Sequence, residues 1–184
     1  MSERTVYVIP KNKFEVGEFK QKVETVFKRL KLINGYYNKD NSWFNAGNNA
    51  YFLFEDDLRD ENPPFEYLEI HDTKNNRLLP EGLQEPAECR VCHTDLHDEI
   101  NELLFTITEK EHDERKETDM TNTLVYCPNC NQERKLSDLS YQEKIAITNQ
   151  YLCFVDIADD LKESSLVEIE KELKTAFEII YSGI

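Results

Sequence analysis

Apolar residues change their spacing several times along this chain, and the changes mark out its elements. Thr5-Val6-Tyr7-Val8-Ile9 is a β-branched and aromatic run closed by Pro10, which predicts a first strand. From about Phe14 to Ile33 the period lengthens. Phe19, Val23, Val26, Phe27, Leu30 and Ile33 then share one helical face, and Asn34-Gly35 is the expected stop. Lys20, Lys22, Lys28, Arg29 and Lys31 lie on the opposite face, which reads first as a solvated surface and second as a basic recognition face. Tyr36-Tyr37, Ser42-Trp43-Phe44, Ala50–Phe54 and Phe65–Ile70 predict strands separated by turn-prone Asn, Asp, Gly and Pro. Residues 73–88 contain Pro80, Gly82 and Pro86 and predict an irregular linker.

Beyond the linker, Glu102–Thr108 and Thr123–Tyr126 read as a strand pair joined by a charged and polar connection. Ile145-Ala146-Ile147 and Tyr151–Asp156 are further strand candidates, the second a buried one with Cys153 as a small apolar side chain. Ser165-Leu166-Val167-Glu168 fits a capping box. The helix it opens is expected to reach about Tyr181 before Gly183, with Leu166, Ile169, Leu173, Ala176, Phe177 and Ile180 inward. The order β-α-β-β-β, cysteine module, β-α predicts an α+β fold: a mostly antiparallel sheet with two amphipathic helices over one face. The expectation is a single domain over residues 1–184, with a module at 89–131 inserted in it or appended to it.

The 184 residues, 39% hydrophobic and 11% aromatic, suit a globular chain with a real core. No apolar run approaches the ~20 residues of a membrane span. The N-terminus has no signal-peptide plan, so a cytoplasmic protein is expected. The net charge of −15 is uneven. Residues 1–40 hold nine Lys/Arg against five Asp/Glu, leaving thirteen against thirty-two in the remainder. A field of that sign repels phosphate and attracts basic partners, although acidity also serves solubility alone.

The chemistry lies in the cysteines. Cys89-Arg90-Val91-Cys92 and Cys127-Pro128-Asn129-Cys130 are two C-x-x-C pairs, and four thiolates complete a tetrahedral structural zinc site. A redox pair would need one C-x-x-C in a strand-to-helix context. An iron–sulfur cluster crowds three of its cysteines together, and disulfides suit oxidising compartments. Cys127-Pro128-Asn129-Cys130-Asn131 resembles the C-P-x-C-[G/N] knuckle of zinc-ribbon modules, and Cys89–His93 resembles its partner, with His93 where glycine is more usual. The resemblance spans about residues 89–131. It implies a structural Zn2+ held by Cys89, Cys92, Cys127 and Cys130, and a left-handed backbone at Asn131. His93 and His97 stand four apart, but Thr94 occupies the place of the glutamate in H-E-x-x-H, so they read as surface histidines.

No nucleophile elbow, phosphate-binding loop or dinucleotide fingerprint is present, and glycines number only five. Acidic residues after apolar strands, Glu55-Asp56-Asp57 and Asp156 with Asp159 and Asp160, are the candidates for acid–base chemistry. With thirty-seven acidic residues such clusters arise by chance, so no catalytic residue is expected. The expected function is binding of a protein with a basic surface, for instance as an inhibitor or immunity-type protein neutralising a bacterial toxin. The surfaces for it are the acidic stretches 55–61 and 109–119. The first alternative is a nucleic-acid-associated zinc-ribbon protein using Arg90, Arg115, Lys116, Arg134 and Lys135; the second is an enzyme using the strand-end carboxylates.

Overall fold

The computed structural model describes residues 4–38, 43–55 and 63–183. In chain order the elements are β1 (Thr5–Pro10), α1 (Glu18–Arg29), β2 (Ile33–Asn38), β3 (Trp43–Ala46) and β4 (Tyr67–Leu79). They continue with β5 (Ala87–Glu88), α2 (His97–Glu114), β6 (Leu124–Cys127), β7 (Gln132–Lys135) and β8 (Ser140–Tyr141). The chain closes with β9 (Ala146–Val155), α3 (Glu163–Leu173) and β10 (Phe177–Ser182). It divides into two compact units: residues 1–73 with 150–184, and residues 74–149. Both divisions fall inside strands, β4 and β9. The α+β class stands, with a six-stranded, mostly antiparallel sheet in the order β10-β1-β9-β4-β3-β2.

In the first unit β1 pairs antiparallel with both β10 and β9. A strand with neighbours on both sides and burial from Val6 to Pro10 is apolar at consecutive positions, as its sequence is. Val6 and Val8 meet Leu152 and Phe154 in one core with α1 and α3, so both helices share the sheet's core as expected. Helix α1 ends earlier than Asn34-Gly35. Lys31 takes the left-handed conformation at φ 59°, Leu32 N–H donates to Phe27 O at 2.8 Å and Lys31 N–H to Lys28 O at 3.1 Å. This is a Schellman stop, and it frees Ile33 to begin β2. Gly47 faces it: a Cβ there would lie 2.2 Å from Lys31 O, so only glycine admits the approach.

The start of α1 is capped from a distance. Asp72 Oδ2 accepts from Gly17 N–H (2.9 Å) and Lys20 N–H (3.0 Å), placing a carboxylate at the positive end of the helix. Gln150, 2% exposed, donates to Asp72 Oδ1 and exchanges hydrogen bonds with the Phe14 backbone, so the buried amide is satisfied.

Several expected elements differ. Ala50–Leu53 is a turn of 3-10 helix rather than a strand, with Phe54 alone bridging to Leu161. Residues 73–79 continue β4 instead of beginning a linker. The last helix stops at Leu173, with Lys174 left-handed at φ 56°, and 177–182 form β10 along β1. Ala176, Phe177 and Ile180 fit a helical period, but the run Phe177–Tyr181 is mainly aromatic and β-branched, and edge pairing with β1 decides it. The capping box is not formed. Ser165 lies inside α3, and its hydroxyl donates to Phe52 O.

The second unit holds the largest correction. Glu102–Thr108, read as a strand, lies within the 18-residue helix α2. Ile100 and Leu104 are buried and Leu103 and Ile107 half-buried, which is the i, i+3, i+4, i+7 stripe of a helix. The β-branched Thr106, Ile107 and Thr108 masked it. Asp95 Oδ1 receives His97 N–H at the first turn, where Asp98 and Glu99 also suit the dipole. Around α2 pack Leu78, Leu83, Leu96, Val125, Leu136 and Leu139, and Arg77 joins Glu111 at 2.5 Å where both side chains are largely buried.

Candidate metal centre

Two short antiparallel pairs deliver the cysteines. β5 leads into Cys89, and the chain turns back at once: Cys89 N–H donates to Thr94 O (2.9 Å) and His93 N–H to Cys89 O (2.8 Å). β6 ends on Cys127, whose partner in β7 is Gln132, so Pro128–Asn131 form the loop of that hairpin. Asn131 is left-handed at φ 53°, as the knuckle resemblance implies. His93 is left-handed too, at φ 56°, so the residue standing in the glycine position adopts the glycine conformation.

The four thiols converge. All four Sγ atoms lie within 4.8 Å of one another. Cys89 and Cys130 are 3.9 Å apart and Cys92 and Cys127 3.5 Å, far beyond a disulfide bond, and all the cysteines are free. A tetrahedral ion with metal–sulfur bonds of about 2.3 Å has sulfur–sulfur edges of about 3.8 Å. The thiols therefore stand at the spacing such an ion requires. Cys89 and Cys127 are buried, Cys92 and Cys130 half-buried.

The surroundings of Cys89 and Cys92 favour thiolate. Backbone N–H groups of Cys92 and Val91 hold the Cys89 thiol below its usual range. The Thr94 hydroxyl, 3.2 Å from Cys92 Sγ, and the Thr94 backbone bring Cys92 down to about 6. Cys130 moves the other way, pushed by burial and by its sulfur neighbours to about 11. Four thiolates at this spacing repel each other, and a cation among them removes the conflict. The cluster can hold a metal ion.

Two residues around the thiols carry no local sequence signal. Thr94 follows the first knuckle by one residue, and Arg134 lies in β7. Arg134 belongs to the cations of the nucleic-acid alternative, yet its guanidinium, which donates to Gln132 Oε1, has its pKa raised first by the Cys89 thiol and then by Cys130. Its Nε is buried without a hydrogen-bond partner among the described residues. Outer partners of this kind orient metal ligands, and only the fold reveals them.

The histidines stay outside the cluster. The His93 side chain is 77% exposed and 3.6 Å from Glu88, while His97 Nε2 meets Leu83 O at 3.0 Å. Among the described residues the four cysteines are the one group of His, Cys, Asp and Glu gathered closely enough to hold a metal. Cys153 is buried in β9. Of the carboxylates considered for catalysis, Asp56 and Asp57 lie outside the described residues, as does most of the acidic stretch 55–61. Asp156 is left-handed at φ 51° just after β9, and Asp160 pairs with Arg4. The second acidic stretch, 109–119, forms the end of α2 and the chain that follows it. Among the described residues no helix is long and apolar enough to cross a membrane. No protein-family model matches this chain, and comparison with curated proteins and with solved structures finds no match.

Proposed function

We propose that this protein is a zinc-stabilised binding protein whose acidic surface docks a basic protein partner. Zinc is the ion that four thiolates in two knuckles suit best, and with four protein ligands it keeps no open position for substrate or water. Its role is structural, as in the zinc ribbons that the knuckles resemble. Expected zinc content is one ion per chain, measured by native mass spectrometry before and after a chelator. Full occupancy by iron with a visible charge-transfer absorption would replace this assignment.

The observation that carries the binding reading is α2. Asp98, Glu99, Glu102, Glu109, Asp113 and Glu114 populate its half-exposed and exposed positions, against Lys110 as its one lysine or arginine. Such a field steers basic partners and repels phosphate backbones. An inhibitor or immunity-type protein that neutralises a basic toxin is a concrete instance. The test is affinity capture from native lysate at low and high salt. A stoichiometric basic protein released by salt supports the reading. Capture of nucleic acid in its place, or of no partner at either salt concentration, ends it.

A further inference from the structure

Within the second unit α2 and the β6–β7 hairpin leave a groove of about 410 Å³. Its apolar lining is Leu103, Val125 and Pro128 together with Leu124 and Tyr126, which are 45% and 52% exposed. Their exposure follows from strand alternation. β6 buries Val125 and Cys127 and turns Leu124 and Tyr126 outward, so two large apolar side chains share the outer face. Glu99 and Glu102 edge the groove from α2, and Glu133, opposite Tyr126 in the ladder, edges it from β7. None of these three carboxylates makes an ion pair among the described residues. Of the hairpin's cations, Lys135 opposite Leu124 donates to Asn122 Oδ1 at 2.9 Å, and Arg134 opposite Val125 donates to Gln132 Oε1.

We propose that this groove is the docking site for a basic polypeptide segment that carries apolar anchors flanked by lysine or arginine. This deepens the binding reading above and rests on it. Apolar floor and acidic rim are the complement of an amphipathic basic helix, whose anchors would cover Leu103, Leu124 and Tyr126 while its cations meet the three glutamates. Charge complementarity selects this occupant. Nucleic acid is repelled by the rim, and a second copy of this acidic chain would bring like charges together. Tyr126 and Pro128 flank Cys127, so the knuckle that holds a thiol also shapes the site.

The probe is a fluorescent amphipathic Leu/Lys peptide titrated into the full chain, with a Ser/Lys peptide lacking the anchors for comparison. Reversing Glu99, Glu102 and Glu133 to lysine should weaken Leu/Lys binding about tenfold or more, and Leu124→Ser with Tyr126→Ser by a similar factor. Circular dichroism and metal content verify that each variant keeps its fold. Glu163→Lys with Glu168→Lys, the same kind of charge reversal on exposed positions of α3 that do not line the groove, should leave binding near the native value. Groove variants that fold and bind the peptide as the native chain does would overturn the site while leaving the basic-partner reading intact. So would equal affinity for the Ser/Lys peptide. No binding of either peptide at low salt would sink both proposals together. A native dimer that Leu124→Ser dissociates would assign the groove to self-association and overturn this occupant.

Discussion

The first unit completely buries Phe19, Phe27, Phe44, Phe65 and Phe154, whereas the buried cluster of the second contains no phenylalanine and includes Cys89 and Cys127. The difference follows from what each stretch has to bury. In the first unit, two helices and a sheet enclose large side chains, and the hydrophobic effect at about 25 cal/mol per Å² of buried apolar area supplies most of the cohesion. The second unit is a small body below about 80 residues whose helix spends its outer positions on carboxylates, and a core of that size rarely stands alone. In the proposed reading, an ion held among the four thiols supplies the cohesion that such a core lacks. The comparison teaches that cohesion in one chain can come from two sources, and that the two should fail separately.

The largest effect is expected from the cysteines. Cys127→Ser should abolish metal binding, and because structural zinc contributes on the order of 10 kcal/mol in small modules, residues 74–149 should lose amide protection. Hydrogen exchange read by mass spectrometry should show the loss there, with protection retained in β1, α1 and α3. Chelation of the native chain should reproduce the pattern. Uniform loss of protection in both units would break the comparison.

Phe154→Ala tests the opposite side. Removing a fully buried ring in contact with Phe54 and Phe65 should cost about 3–5 kcal/mol. The denaturation midpoint of the first unit should fall while metal content stays native; release of the metal by this variant would show that the two sources of cohesion are not separate. Gly47→Ala is the more local probe. Its Cβ meets a backbone carbonyl rather than a movable side chain, so about 1–3 kcal/mol is expected, read by thermal melting.

The smallest effect sharpens the second unit. Asp98 beside His97, and then the Leu83 carbonyl, hold the imidazole protonated to higher pH than usual. A raised folded-state pKa means that this stabilisation is full below the unfolded value near 6.5 and is lost as pH rises through the folded value. The stability difference between the native chain and His97→Gln should therefore shrink as pH rises above about 6.5, and it should be small throughout because the exposed Asp98 carboxylate is screened. A difference that grows with pH would reverse the assignment.

The order of amino acids carried the thiol cluster almost whole. Two C-x-x-C pairs single out the four thiols that converge, because two residues between cysteines is the spacing a knuckle needs, and Asn131 announced its left-handed turn. It also carried β1, most of α1 and the inward face of the last helix from Leu166 to Leu173, where a single period dominates a window. Other features were settled by partners distant in sequence. Residues 177–182 became a strand because β1 offered an unpaired edge, and 102–108 became a helix because Ile100, Leu103, Leu104 and Ile107 found one core to face. Asp72 caps a helix more than fifty residues upstream, Gly47 admits a carbonyl that closes α1, and Arg134 turns to the thiols. Local pattern records what a segment can bury; which neighbour it buries against, and which polar group then needs a partner, is decided only once the chain has closed on itself.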